Sequence, residues 1–256
     1  VLEALSAAAG RQGRVHGVLL MVELGDLREG VLPEALGDLV SATEALPHLR
    51  FDGVGTNLAC QSGMAPDATN MAALSALVDA VETETGIAVG RVSGGNSANL
   101  DWAFGAEAVG RVDDLRLGES ILLGREALRG TPVDGLHTDA FTVVAEVIES
   151  GPKPSLPWGE MTRTAFGGTD RAEDRGEVAQ AILALGRQDI EPAGLTAPPG
   201  MTILGASSDH LVLDAGPHAL AVGAEVRFRP DYPALLRAMT SPFVTKVLRT
   251  AEALPA

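Results

Sequence analysis

The chain has 256 residues, 46% hydrophobic and 4% aromatic, enough to bury one large core or two smaller ones. Its 34 acidic against 19 basic residues give a net charge of −15, which disfavours nucleic acid, because binding a phosphate backbone needs clustered Lys and Arg. Cys60 is the sole cysteine, so an internal disulfide and a thiolate zinc site are excluded. With no apolar run near the ~20 residues of a membrane span and no signal-peptide pattern in "VLEALSAAAGRQGRVHG", we expect a cytoplasmic chain with no membrane partner and no metal.

Taken in order, "GVLLMVEL" (17–24), "FDGVGTNL" (51–58), "GIAVGRVS" (86–93) and "DLRLGES" (114–120) read as strands, their continuous apolar character predicting burial on both faces. Between them, "VLPEALGDLVSATEAL" and "NMAALSALVDAVETETG" carry apolar residues at helical spacing, the second with Thr69 and Asn70 as candidate caps. Strands alternating with helices predict parallel βα units over 1–135. From 136 to 256 the pattern changes to β-type runs separated by Gly- and Pro-rich turns, predicting an all-β domain. A final helix, "PALLRAMTSPFVTKVLRTAEAL", is expected to close the chain, interrupted at Pro242.

In a parallel βα layout the carboxyl ends of the strands carry the site, because the following loops converge there. Two of those ends, "SGGNSA" and "RLGES", set Gly beside Ser at a helix start, where N–H groups and hydroxyls favour an anion. Either corner alone is better explained by a turn and a cap, but two neighbouring corners suit one phosphate. Arg28 and Arg116 also stand at strand ends. Each suits bidentate binding of a carboxylate or donation to a ring nitrogen, against the plainer reading of a surface arginine paired with Asp26, Glu29, Asp113 or Asp114. Cys60 reads as a core cysteine, and with no second thiol a two-cysteine racemase is excluded.

The strings "MVELGDLREG", "GVGTNLAC", "SGGNSANL", "LRLGESILLGRE", "DAFTVVAEVIES", "AILALGRQD" and "LGASSDHLVLD", in this order, resemble the ornithine racemase branch of the alanine racemase-like, fold-type III pyridoxal phosphate enzymes. The resemblance covers essentially the whole chain. It implies a (β/α) barrel, incomplete in this chain, followed by an all-β domain, with pyridoxal 5'-phosphate at the barrel mouth. It also implies a homodimer that racemises ornithine or a related amino acid by two-base proton transfer at Cα. By the same resemblance Asn96 and Ser97 match the Asn-Ser-Ala motif on the phosphate side. Arg116 faces the pyridine nitrogen, and Gly118 and Glu119 offer N–H groups to the phosphate. Tyr232, the one tyrosine, matches the phosphate-binding tyrosine, and Arg28 matches the arginine of "GMGRLG" that binds the substrate carboxylate.

The departures from the pattern are specific. Asn57 stands where the family has a histidine beneath the pyridine ring, and Met21 where it has a supporting lysine. The turn "RTAFGG" offers Phe166 where a catalytic tyrosine is sought, which leaves the second base unassigned; Asp189, Ser208, Asp209 and His210 lie in motifs that face the neighbouring subunit's site in the family. The family holds its cofactor on a lysine of the first barrel strand, whereas Lys153 and Lys246, the chain's two lysines, match no such position. The family pattern also places roughly a hundred residues of barrel before a helix like the one that opens this chain. We therefore expect a fragmentary sequence. The alternative is a non-catalytic pyridoxal phosphate-binding or scaffold homologue lacking the lysine. A metal-dependent aldolase of the same fold type needs a His and Cys pair in the β domain, and Cys60 lies in the other half.

Overall fold

The computed structural model describes residues 1–160, 162, 165–166 and 174–249. The chain divides into two compact units, Val1–His137 and Thr138–Ala256.

In the first unit, β1 (His16–Met21), β2 (Leu49–Gly55) and β3 (Val92–Ser93) form a parallel sheet in the order β1-β2-β3. The crossovers carry helices α2 (Leu36–Glu44) and α3 (Ala68–Thr85), while α1 (Leu2–Arg11) precedes the first strand. Helix α3 places Met71, Leu74, Val78 and Val81 on one face by its 3.6-residue period, and these pack with Leu36 and Val40 of α2 against Leu20, Phe51, Val54 and Val92. The helix starts at a capping box: the Asp67 carboxylate accepts from Thr69 N and Asn70 N, and the Asn70 side chain accepts from Asp67 N. The cap is thus Asp67, where Thr69 and Asn70 were expected. Gly86 closes α3 in the left-handed conformation, at φ 68°.

Three sequence expectations are corrected here. The strand foreseen over 86–93 is reduced to Val92–Ser93, because upstream of it the Val89 N–H turns to the Glu82 carboxylate instead of a neighbouring strand. The strand foreseen over 114–120 is a single parallel bridge, Ser93 to Asp114, followed by helix α5 (Glu119–Leu123) after the short α4 (Leu100–Gly105). Burial on both faces fails for β1, where Leu20 alone is fully buried, since the helices cover one face of the sheet.

The second unit is a six-stranded sheet in the order β6-β9-β4-β5-β8-β7, all antiparallel. Its strands are β4 (Val143–Pro154), β5 (Glu177–Leu183), β6 (Leu195–Thr196), β7 (Thr202–Ala206), β8 (Leu211–Asp214) and β9 (Glu225–Pro230). Along β4 the residues Val143, Ala145 and Val147 are buried and Val144, Glu146 and Ile148 are exposed, the two-residue alternation of a half-covered sheet. The first part of β4 pairs with β9 and the rest with β5, so one long strand joins two ladders. Helix α6 (Tyr232–Thr240) packs Ala234 and Ala238 into the core with Phe228 and Leu213. It ends before Pro242, as a residue preceding proline is driven out of helical geometry, and the described residues beyond it are not helical, so the long closing helix is corrected to nine residues.

Candidate active site at the carboxyl ends of the parallel strands

The loop after β1 is built to return on itself. Val31 N donates to Met21 O and Glu23 N to Val31 O, both at 2.9 Å, which brings the loop's ends together as a parallel bridge between Val22 and Val31. Gly30 permits the closure: it sits at φ 113°, and a Cβ there would come within 2.7 Å of the Glu23 nitrogen. The Glu23 carboxylate accepts from Gly25 N and from Arg28 N, and bonds from the Leu27, Gly25, Arg28 and Asp26 backbone hold it below the usual carboxylate range despite burial. Asp26 is 1% exposed, and its carboxylate accepts from Gln61 N at 3.1 Å and Ser62 N at 2.9 Å. Asp26, offered by the sequence as a partner for a surface arginine, instead clamps the loop after β2 to the loop after β1.

That clamp sets Arg28 within electrostatic reach of Cys60. Arg28 Nη2 donates to Glu29 Oε1 at 2.8 Å and its Nε to the other carboxylate oxygen, so the pair is bidentate. Arg28 is pushed above its ordinary pKa mainly by this bond, and Glu29 below its own by the same bond, with Arg116 adding to the pull. Cys60 is exposed, which corrects the core reading.

At the end of β3 the chain turns through Gly94 and Gly95 into a 3-10 turn at Ser97–Asn99. Gly95 has φ 142°, and a Cβ would lie 2.2 Å from Asn99 Oδ1, the atom that accepts from Asn96 N at 3.0 Å. Asn99, buried and not foreseen from the sequence, also donates to Gly94 O at 2.9 Å and so fixes the corner from within. Asn96 caps the turn, its Oδ1 accepting from Ala98 N at 2.7 Å, while Nδ2 reaches Leu58 O at 2.8 Å, Asn57 Oδ1 at 3.0 Å and Cys60 Sγ at 3.3 Å. The second corner meets the first at Ser97. Its hydroxyl oxygen accepts from Ser120 N at 3.1 Å, lies 3.1 Å from Ser120 Oγ, and is 3.4 Å from the Gly118 nitrogen. Glu119 follows as the first residue of α5.

Arg116 lies across the sheet ends. Nη1 donates to Ser93 Oγ at 2.5 Å, and Nη2 to Thr56 O at 2.9 Å and Asn57 Oδ1 at 3.3 Å. Ser93 Oγ in turn donates to Asp114 Oδ2 at 2.6 Å, so Asp114 holds Arg116 through a hydroxyl and not as an ion-pair partner. Among the described residues no carboxylate comes within ion-pair distance of Arg116. Two donors, from Arg116 and Asn96, converge on Asn57 Oδ1, which settles the orientation of the amide. Asn57 Nδ2 then points the other way, buried and without a partner among the described residues. An orphaned amide donor beside a guanidinium with N–H capacity to spare suits an acceptor-bearing ring, and the Ser97 junction suits an anion. The residues present thus fit the ring and phosphate of pyridoxal phosphate, whereas neither lysine belongs to this unit.

The remaining predicted residues lie in the second unit. Lys153 pairs with Glu149 on β4, and Lys246 donates to Ser241 O. Tyr232 opens α6 behind the Asp231 cap and is 39% exposed. Asp189 is buried and accepts from Ser241 Oγ at 2.7 Å. Asp209 accepts from Ser208 Oγ at 3.0 Å and lies 3.6 Å from the His210 ring. Arg187 stacks 4.9 Å over Phe166; the rest of the "RTAFGG" turn, apart from Ala165, lies outside the described residues. A separate groove of about 960 Å3 in the first unit, lined by Asp67, Met71, Ser75 and Trp102 among others, contains none of the predicted site residues.

The alanine racemase N-terminal domain family matches residues 1–126. An ornithine racemase of Acetoanaerobium sticklandii is 38% identical over 251 residues, covering 96% of this chain and 71% of that protein. A lysine racemase of Thermotoga maritima is 39% identical over 235 residues, covering 90% of this chain and 65% of that protein. Among solved structures, the alanine racemase of Bartonella henselae with covalently bound pyridoxal phosphate superposes with a TM-score of 0.60 at 18% identity, over 94% of this chain and 65% of that one. The chain therefore spans about two thirds of the length of these relatives. In sequence, in the order of its elements and in fold, it belongs to the alanine racemase-like family of amino-acid racemases.

Proposed function

We propose that the protein is a pyridoxal phosphate-dependent amino-acid racemase acting on ornithine or a related basic amino acid. The observation that carries this reading is the 38% identity to an ornithine racemase along 96% of the chain, together with the strand-end constellation of Asn57, Asn96, Ser97 and Arg116. When bound, pyridoxal phosphate supplies an electron-withdrawing ring that acidifies the Cα–H of an attached amino acid. Arg116 would face the ring nitrogen. A guanidinium donates a hydrogen bond without surrendering its proton, so the ring nitrogen stays unprotonated and side reactions that need a stronger electron sink are held back. Ser93, fixed by Asp114, keeps the guanidinium plane in place. Asn57 Nδ2 would meet an acceptor on the ring, and Asn96, Ser97, Gly118 and Glu119 would surround the phosphate. Arg28 would orient the substrate carboxylate once it is freed from Glu29.

The test is incubation of L-ornithine and L-lysine with pyridoxal phosphate and the full-length protein, as neither Lys153 nor Lys246 stands in the first unit, followed by chiral chromatography. Appearance of the D enantiomers is expected, and its absence while the cofactor is spectroscopically bound would overturn the reading. Ser97→Asp should weaken cofactor binding by like-charge repulsion; unchanged affinity would remove Ser97 from the phosphate. The same reading includes a homodimer, and a monomeric mass in sedimentation would contradict that part.

A further inference from the structure

Three carboxylates stand on the loop that follows β1, and two of them are committed to the backbone. Glu23 accepts from Gly25 N and Arg28 N, and Asp26 from Gln61 N and Ser62 N. Glu29 differs. Its side-chain partner is the Arg28 guanidinium next to it, and both groups are more than a third exposed, at 39% and 43%. In the resemblance to Gly-Met-Gly-Arg-Leu-Gly, Glu29 of this chain stands opposite a leucine, an apolar side chain that could not pair with Arg28.

We propose that Glu29 is the receptor for the side-chain ammonium of a diamino acid, and that the Arg28–Glu29 pair opens by exchange. The incoming α-carboxylate takes the place of Glu29 on Arg28, and the incoming ω-ammonium takes the place of Arg28 on Glu29. The inference rests on the racemase reading in one respect, the role of Arg28 as carboxylate anchor. Its logic is a count of ion pairs. A neutral amino acid breaks one pair and remakes one, leaving Glu29 without its ion-pair partner and with Arg116 as its remaining cation. A diamino acid breaks one pair and makes two. Discrimination therefore comes from the charge left stranded by the wrong substrate. Arg28 and Glu29 are chain neighbours with Cα atoms about 3.8 Å apart, and their side chains meet in a bidentate pair, so the exchange requires the two to part and each to take one end of the substrate.

L-Norvaline, which is L-ornithine without its δ-ammonium, is the natural probe. The cofactor-loaded protein and its Glu29→Gln variant are titrated calorimetrically with both amino acids, and the melting temperatures are compared to confirm folding. Expected is a roughly tenfold fall in the preference for ornithine over norvaline, the loss of one charge-assisted contact, with norvaline binding unchanged or tighter because Arg28 is released. Glu29→Asp, which keeps the charge, should keep the preference. If Glu29→Gln alters the affinities for ornithine and norvaline by the same factor, in either direction or not at all, Glu29 is a competitor or a bystander and the inference fails while the racemase reading stands. Failure of the unaltered protein to bind ornithine overturns both, and tight binding without racemisation overturns the racemase reading alone.

Discussion

The two units bury polar side chains in different places. In the first, Asp26, Thr56, Ser93, Ser97, Asn99 and Ser120 are all buried at, or just past, the carboxyl ends of the parallel strands, where each holds a loop or another side chain. In the second, the buried polar groups among the described residues are Asp189, Asp214 and Ser241; Asp189 and Ser241 bond to each other, and Asp214 meets Arg175 at the end of β8. The second unit thus takes its stability from alternating apolar strands, whereas the first devotes the ends of its strands to a polar frame. A polar frame in a low-dielectric setting is specific when complete and destabilising when one member is missing. Asn57 Nδ2 is the unmatched donor within that frame among the described residues, and it is there that the proposed ligand would complete it.

Phe228→Ala should have the largest effect on this comparison. The ring is fully buried in the second unit, so its loss should destabilise that unit by about 3–5 kcal/mol. Calorimetry should show a lowered second-unit transition, and a matching fall in the first would break the division between apolar core and polar frame.

Glu126→Ala comes next. This carboxylate, 1% exposed, accepts from Leu128 N, Arg129 N, Thr131 N and Thr131 Oγ1, so its removal strands several donors and should cost roughly 2–4 kcal/mol. Burial is the largest single influence on Glu126 and raises its pKa, but the bonds from Thr131, Leu128 and Arg129 outweigh it, and the folded-state value lies below the ordinary one. The sign follows: the stabilisation is fully present above the unfolded value near 4.3, roughly, and is lost as pH falls through the lower folded value. Acid titration of melting temperature should therefore show a step that Glu126→Gln abolishes.

Gly95→Ala should cost about 1–3 kcal/mol, through the left-handed φ and the collision with Asn99, and should loosen the Ser97 corner. A matching loss of cofactor affinity is expected, and a stability loss without it would separate the corner from the ligand. The smallest effect has opposite signs in two assays. Asn57→Asp keeps the acceptor facing Arg116 and Asn96 but removes the orphan donor, so the ligand-free protein should gain about 1 kcal/mol while cofactor binding weakens. Equal shifts of the two in one direction would show that the orphan has no ligand.

The change of pattern from helical to alternating spacing was legible because periodicity is a property of many residues at once. So was the meeting of the two Gly/Ser corners, since parallel strand ends converge whatever their side chains. What stayed hidden depended on single bonds across long separations. Nothing near Asp26 in sequence points to Gln61 and Ser62, nothing near Ser93 points to Asp114, and the strand expected before Val92 dissolves because Glu82 takes the Val89 N–H. The Arg28–Glu29 pair, by contrast, was in view, since Glu29 stood among the neighbours named for a surface-paired Arg28; which of those neighbours is chosen is decided by rotamers that composition does not encode.

The Asp26 clamp carries a lesson for how this site diversifies. Because one buried carboxylate fastens the loop after β1 to the loop after β2, an insertion in either loop would pull on the other and on the Asn96 amide that leans against Leu58 and Cys60. Surface loops ordinarily tolerate changes of length, and many folds acquire new specificities that way. Here that route is closed. New preferences must arise by exchanging individual side chains on a fixed outline, and Glu29, whose carboxylate engages the neighbouring Arg28 side chain, stands at a position where such an exchange is possible.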